Sequence, residues 1–218
     1  MARASCHRCR RPAPTCVCSA IRPVTTRTHW ILLMHPKEAR KVRIGTGRLA
    51  HLSLRRSELH VGIGFNDHPR VTALLGDPHL DCRVLYPGGT NLNAGAYQPM
   101  PGRIPVFFLL DATWPCARAM LRASPRLASL PRITFDPPGP SAFSIKRQPR
   151  AECLATIEAA DACLNQLVRH GHERLPPDHD GNLLGPLRKL MAIQQRFPGA
   201  PPALATAPSG CRDSAPQP

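Results

Sequence analysis

The stretch IPVFFLLD, residues 104–111, constrains the fold more than any other part of the chain. It is apolar up to its last residue and passes directly into ATWPCARAM. A short, unbroken apolar run of this kind is the pattern of a strand covered on both faces, and such strands lie in the middle of parallel sheets. Pro115 marks the start of a helix, where a missing N–H costs nothing. Asp111 therefore stands where a central strand ends and a helix begins. Two roles suit that position: a cap for the helix, which Thr113 could equally provide, or an active-site corner.

Other segments repeat the alternation. HWILLMH (29–35), ELHVGIGF (58–65), CRVLYPGG (82–89) and RITF (132–135) read as strands, the first ended by Pro36 and the third closed by Pro87-Gly88-Gly89. Helical spacing appears over residues 46–54, in PRVTALLGDP and in PCARAMLRAS. It is clearest in ECLATIEAADACLNQLVRHG, where Leu154, Ile157, Ala160, Leu164, Leu167 and Val168 share a face and Gly171 ends the run. NLLGPLRKLMAIQQRF is a last helix, bent at Gly185-Pro186; AFSIKRQP reads as extended and HERLPPDHDG as loop. Strands alternating with helices give an α/β fold with a mostly parallel sheet flanked by helices. Ligands of such folds bind beyond the carboxyl ends of the strands, where Asp111 and Tyr86-Pro87 both lie. No phosphate-binding P-loop and no Gly-x-Gly-x-x-Gly follows the first strand, which excludes the usual dinucleotide and triphosphate sites.

The 29 Lys and Arg outnumber the 14 Asp and Glu, for a net charge of +15 at pH 7. Such a surplus fits a polyanion, nucleic acid foremost. At 5% aromatic residues, phosphate contacts are favoured over stacking on exposed rings. No apolar run approaches the ~20 residues that span a bilayer, so no membrane partner is expected.

Cys6, Cys9, Cys16 and Cys18 follow the spacing C-x2-C-x6-C-x-C. Four thiolates suffice for a closed tetrahedral zinc site, structural because no position is left open. Residues 1–27 accordingly read as a small appended zinc-binding module, 28–197 as the main domain, and 198–218 as a disordered tail of Pro, Ala and Ser. The nine cysteines, odd in number and unevenly placed, suit a reducing, cytoplasmic setting. Cys82, Cys116, Cys153 and Cys163 sit among apolar neighbours and read as core residues rather than nucleophiles.

Five segments in order, CHRCRRPAPTCVC, HPKEARKVRIGTGRLAHLSL, VLYPG, LLDATWPCARAM and FSIKRQPRAECLATIEA, resemble the DTW domain family of tRNA-uridine aminocarboxypropyltransferases. DATW is similar to the family's Asp-x-Thr-Trp signature. Phe143 stands where the family has tyrosine, Lys146-Arg147 reverses the usual basic pair, and Ala155 replaces a common serine. The resemblance implies a SPOUT-like fold with a C-terminal trefoil knot and S-adenosylmethionine as co-substrate. It further implies transfer of the 3-amino-3-carboxypropyl group to N3 of a uridine in the tRNA variable loop, with release of methylthioadenosine. An RNA methyltransferase on the same fold, or a zinc-stabilised RNA-binding protein without activity, are the alternative readings.

On that resemblance Asp111 is the group beside N3–H of the uridine, with Thr113 and Trp114 next to it. Trp114 either walls the pocket or packs as core. Gly45, Thr46 and Gly47 offer amides and a hydroxyl before a helix, suited to an anion, or form a plain glycine turn. Leu85, Tyr86 and Pro87 offer backbone to adenosine. Thr156 and Glu158 face the cofactor or support the helix start. Arg40, Lys41, Arg43 and Arg48, with Lys146, Arg147 and Arg150, are the expected tRNA phosphate contacts. Arg8, Arg10 and Arg11 extend the same surface.

Overall fold

A computed structural model describes residues 4–40, 45–143, 153–175 and 182–196. Five strands form one sheet: β1 His29–Met34, β2 Ser57–Val61, β3 Leu80–Asn91, β4 Ile104–Asp111 and β5 Arg132–Thr134. Their order is β2-β1-β4-β3-β5, and every pairing is parallel. β4, the most apolar segment, takes the central place expected of it.

Side chains of β4 alternate between two cores, as the two-residue period of a strand requires. Phe107 and Leu109 face one core with Trp30 and Leu32 of β1. That core is closed by α2 (Gly47–Ser53), α6 (Thr156–Arg169) and α7 (Gly185–Gln195). Val106 and Phe108 face the other, with Ile31 and Leu33. It is covered by α3 (Pro69–Gly76), α4 (Trp114–Arg122) and α5 (Pro125–Ala128). Each buried Phe or Leu removed from water contributes about 1.5–3 kcal/mol, so this strand is the main hydrophobic anchor of both layers. Among the described residues no helix is long and apolar enough to cross a membrane.

Several elements depart from their sequence patterns. Pro36 does not merely end β1; it opens the short helix α1, Pro36–Arg40, whose second residue donates its N–H to Nδ1 of His35 at 3.1 Å. β2 stops at Val61, not at Phe65, because its partner β1 stops at Met34 and leaves nothing further to pair with. β3 continues through Pro87-Gly88-Gly89 to Asn91. Those residues form a bulge: Leu85 and Thr90 both register with Ile133 of β5. Gly88 has φ +84, and a Cβ on Gly89 would lie 2.3 Å from the carbonyl of Arg132. α6 begins at Thr156, and α7 is not a bent helix: a 3-10 turn, Asn182–Leu184, precedes it and Pro186 lies in its first turn.

The N-terminal segment packs against the main core. Cys9, Val17 and Val24 belong to the same buried cluster as Trp30, Leu187 and Leu190, and Lys189 of α7 donates to the hydroxyl of Ser19. The buried carboxylate of Glu173 fastens the entry to β1, accepting from the N–H groups of Arg27 at 2.6 Å and Thr28 at 2.9 Å and from the Thr28 hydroxyl at 2.8 Å. The expected C-terminal tail lies outside the described residues.

Candidate active site

Asp111 is the last residue of β4 and pairs with Met34, the last of β1. Its carbonyl accepts from the N–H of His35 at 3.0 Å. Its side chain is 5% exposed, yet it does not cap α4. The N-cap position belongs to Thr113, whose side chain makes no capping bond; only its carbonyl is used, by the N–H of Ala117 at 2.8 Å. Pro115 lies in the first turn of that helix.

The carboxylate turns instead toward two other helix starts. Oδ1 of Asp111 accepts from the hydroxyl of Thr156, the first residue of α6, at 2.5 Å. The N–H of Thr156 in turn donates to Oγ1 of Thr46 at 3.2 Å. Gly47, the first residue of α2, presses on the other oxygen: a Cβ there would lie 2.2 Å from Oδ2. Asp111, Thr46, Gly47 and Thr156 thus come from three distant segments to one point. Thr46 and Gly47 form a turn that packs against the start of α6 and against this carboxylate.

Trp114 is not core. At 39% exposure it stands out from the first turn of α4, and its indole N–H donates to Sγ of Cys153 at 3.4 Å. Its ring meets Tyr86 edge-on, with centroids 6.0 Å apart. The guanidinium of Arg132 lies over the Tyr86 ring at 5.2 Å, and Nη1 of the same arginine donates to the Pro87 carbonyl at 3.5 Å. The β3 bulge therefore presents Tyr86 and Pro87 on the same strand-end side of the sheet as Asp111. Leu85 stays half-buried between β4 and β5.

Glu158 is committed to protein donors. Its carboxylate accepts from the Ser141 hydroxyl at 2.6 Å and from the N–H groups of Ala142 and Ala155, both at 2.7 Å. Half of a capping box results: Glu158 reaches back to the residue before the helix, while Ala155 has no side chain to return the bond. Glu158 also lines a cleft of about 230 Å3 with Pro138, Pro140, Leu154, Asp161 and Asn165.

Of the basic residues, Arg40 is exposed. Arg48 is half-buried and lies between opposing fields: burial and the charge of Arg10 both push its pKa down, and Asp111 pushes it up. Arg8 and Arg10 are exposed, but Arg11 is 1% exposed and cannot be part of an RNA-facing surface. Its Nη2 donates to the carbonyl of Gly45 at 3.3 Å. A sequence pattern does not separate a buried arginine from its solvated neighbours. Lys41, Arg43, Lys146, Arg147 and Arg150 lie outside the described residues.

The four N-terminal cysteines form the single group of potential metal ligands among the described residues, all four sulfurs lying within 4.8 Å of one another. None is in a disulfide. Sγ of Cys6 lies 3.6 Å from that of Cys18, and Sγ of Cys9 lies 3.7 Å from that of Cys16. A zinc ion with ~2.3 Å bonds to a tetrahedron of sulfurs sets their spacing at ~3.8 Å, so the residues fit the metal. The knuckle closes through Arg10, whose N–H donates to the Cys6 carbonyl at 2.8 Å and whose φ is +57. Backbone N–H groups of Cys9 and then Arg8 favour the Cys6 thiolate, bringing its pKa to about 6. Burial, then its sulfur neighbours, push Cys18 up to about 12. Of the other cysteines, Cys163 is buried, and burial raises its pKa; Cys82, Cys116 and Cys153 are half-buried.

A family model, the DTW domain, matches residues 3–195. The chain belongs to the DTW domain family. The DTW match takes in the cysteine cluster, the Asp111 site and α6 together. The chain is 28% identical over 199 residues to tRNA-uridine aminocarboxypropyltransferase 2 of Drosophila melanogaster, covering 88% of this chain and 75% of that protein. It is 27% identical over 202 residues to the protein of the same name in Macaca fascicularis, covering 88% of this chain and 64% of that one. Against tRNA-uridine aminocarboxypropyltransferase A of Arabidopsis thaliana it is 24% identical, over 88% and 81% of the two chains. No solved structure gives a significant match to this DTW chain.

His35 also lies close to the site. It is 6% exposed and directly follows β1, beside the backbone of Asp111. A histidine at the end of an apolar strand reads as a boundary, and nothing local distinguishes this one.

Proposed function

We propose that this DTW protein is a tRNA-modifying transferase. In this reading it moves the 3-amino-3-carboxypropyl group of S-adenosylmethionine to N3 of a uridine in the tRNA variable loop. The similarity to proteins named tRNA-uridine aminocarboxypropyltransferase supports the reaction class. The observation that carries the site assignment is Asp111, a buried carboxylate at the carboxyl end of the central strand, held by Thr156 and backed by Gly47.

The chemistry asks for such a group. N3–H of uracil is a weak acid and a poor nucleophile, and a fixed carboxylate accepts its proton or orients it. The N3–C bond forms as the bond between the γ carbon and the sulfonium breaks. The proton passes to the carboxylate and methylthioadenosine leaves as a neutral thioether. The choice between the γ carbon and the methyl is one of orientation, because only the carbon in line with the acceptor reacts. Trp114 and Tyr86 offer an aromatic wall for the adenosine or the target base. Leu85 and Pro87 offer backbone at the same strand end. Gly45, Thr46 and Gly47 shape the floor near the carboxylate, and Thr113 starts the helix beside it. Thr156 and Glu158 hold the start of α6 in place.

The same reading puts tRNA phosphates against Arg40, Lys41, Arg43, Arg48, Lys146, Arg147 and Arg150. Cys6, Cys9, Cys16 and Cys18 would hold a structural zinc. It keeps residues 1–27, 28–197 and 198–218 as zinc segment, SPOUT-like domain with its C-terminal knot, and tail, in a cytoplasmic protein without an obligate protein partner.

The decisive experiment incubates purified protein with tRNA and S-adenosylmethionine labelled either in the carboxyl carbon or in the methyl, followed by nucleoside mass analysis. Carboxyl label in the uridine, released methylthioadenosine and loss of both in Asp111→Ala are expected. Methyl label alone would make the protein a methyltransferase. No label, with tRNA bound, would make it a binding protein.

A further inference from the structure

We infer that Arg11 is a strut joining the metal-binding cysteines to the loop that sets Thr46 and Gly47 against Asp111. This inference rests on the reading that the cysteines hold zinc and that Asp111 serves the transfer.

Arg11 is among the largest fully buried side chains of the protein. A guanidinium taken out of water is costly unless charge and hydrogen bonds compensate for the lost hydration. Its backbone is tied into the cysteine loop on one side, the Arg11 carbonyl accepting from the N–H of Cys6 at 2.8 Å. A hydrogen bond is at hand on the other side, from Nη2 to the carbonyl of Gly45. Gly45 is followed by Thr46, which accepts from the N–H of Thr156, and by Gly47, which touches the Asp111 carboxylate. Buried arginine, loop and carboxylate thus form one continuous chain of contacts from the cysteine cluster to the site.

The direction of coupling follows from electrostatics. Four thiolates around one dication leave a centre of net negative charge, which a buried guanidinium complements. Without the metal, the sulfurs have no common partner to keep them clustered, and Arg11 loses the charge it faces. Its burial is then unfavourable, and the anchor on Gly45 goes with it. The cysteine cluster therefore does more than stabilise a segment: through Arg11 it sets the position of the loop behind the catalytic carboxylate. Arg11 is a positioning residue and does not touch substrate.

The test is hydrogen–deuterium exchange on the full-length, zinc-loaded protein, its Arg11→Lys variant and its Arg11→Met variant. Metal content is read separately by a colorimetric zinc indicator. Both variants are expected to keep their zinc and to exchange amides of residues 45–53 roughly tenfold faster, while Phe107–Leu109 of β4 stay protected. Chelation is expected to speed residues 45–53 of the wild type by a similar factor and to add little in the variants. Transfer should lose kcat with little change in the KM for S-adenosylmethionine. Equal protection of residues 45–53 in wild type and variants would overturn the inference. A full further response of the variants to chelation would do so as well. If Arg11→Met does not fold, Arg11→Lys decides alone, since it keeps the charge and loses the forked reach to Gly45. A wild type without transferase activity refutes the proposed function and leaves the exchange result to judge the strut.

Discussion

The hydroxyl of Thr156 donates to Oδ1 of Asp111 across 45 residues of sequence, at 2.5 Å. The bond joins the end of the central strand to the start of the helix that covers it. A hydroxyl donating to a carboxylate also fixes where the second oxygen points. Replacing Thr156 with valine keeps the shape and removes the donor. Transfer by Thr156→Val should fall about 10–100-fold in kcat, the equivalent of one charge-assisted hydrogen bond, and the melting temperature should drop by a few degrees as the buried carboxylate loses a donor. Thr156→Ser should recover most of the rate. Steady-state kinetics of the three proteins, with thermal melts alongside, check this.

Gly47 is a steric matter. An alanine there meets Oδ2 and Cγ of Asp111 at 2.2 and 2.4 Å, distances that real atoms do not tolerate. Gly47→Ala is expected to cost about 1–3 kcal/mol, as overpacking does, and to displace the carboxylate. Differential scanning calorimetry should show a lower melting temperature, and transfer should be lost in protein that is still folded at 25 °C. An alanine variant with wild-type rate would mean that the position of Asp111 is not critical.

Metal removal should destabilise the whole chain rather than release a free arm. Cys9 and Val17 share a core with β1, β4 and α7. Chelation at neutral pH is expected to lower the melting temperature by about 5 °C or more and to leave a single transition. Two separate transitions in the melt would show that the N-terminal segment folds on its own.

Asp161 gives a pH-dependent prediction. Burial, opposed by Arg188 and by the amide of Asn165, raises its pKa to about 6. A carboxyl whose folded pKa is raised favours folding while it is protonated. The associated stability is present below the ordinary aspartate range of about 4 and is lost as pH rises through about 6. Asp161→Asn removes the penalty of ionisation, so it should stabilise the protein at pH 7–8 by on the order of 1 kcal/mol after allowing for solvent screening. The gain should vanish near pH 4. Urea melts of both proteins at the two pH values decide it.

If basic residues hold tRNA by its phosphates, affinity should fall steeply with salt. Between 50 and 200 mM salt a protein with several phosphate contacts loses roughly 10³-fold or more. Filter binding at a series of salt concentrations gives the slope, and a flat response would remove the phosphate-contact reading.

What could be read from the sequence is what depends on local pattern. The central place of IPVFFLLD followed from its unbroken apolar character, and the parallel sheet from its alternation with helices. The cysteine cluster was legible because four ligands within thirteen residues leave few other uses for them. The course of β3 was not legible. Pro87, Gly88 and Gly89 are strand breakers locally, but pairing with β5 on both sides of them overrides that preference. The fate of Arg11 was hidden for another reason. Charged side chains are assigned to solvent by default, and only the fold reveals a thiol cluster on one side of it and a carbonyl on the other. The surroundings of Asp111 were likewise tertiary, since the groups its carboxylate meets, Gly47 and Thr156, are remote in the chain.

The buried cluster that joins Cys9 and Val17 to Leu187 and Leu190 has a consequence for synthesis. Cys9 and Val17 cannot complete their packing until Leu187 and Leu190, about 170 positions later, have been synthesised. Contacts of such long sequence separation form late, and the N-terminal thiols meanwhile wait in an unfinished chain. If these cysteines hold zinc, its supply during translation, and not only afterwards, bears on how much of this protein reaches its native state.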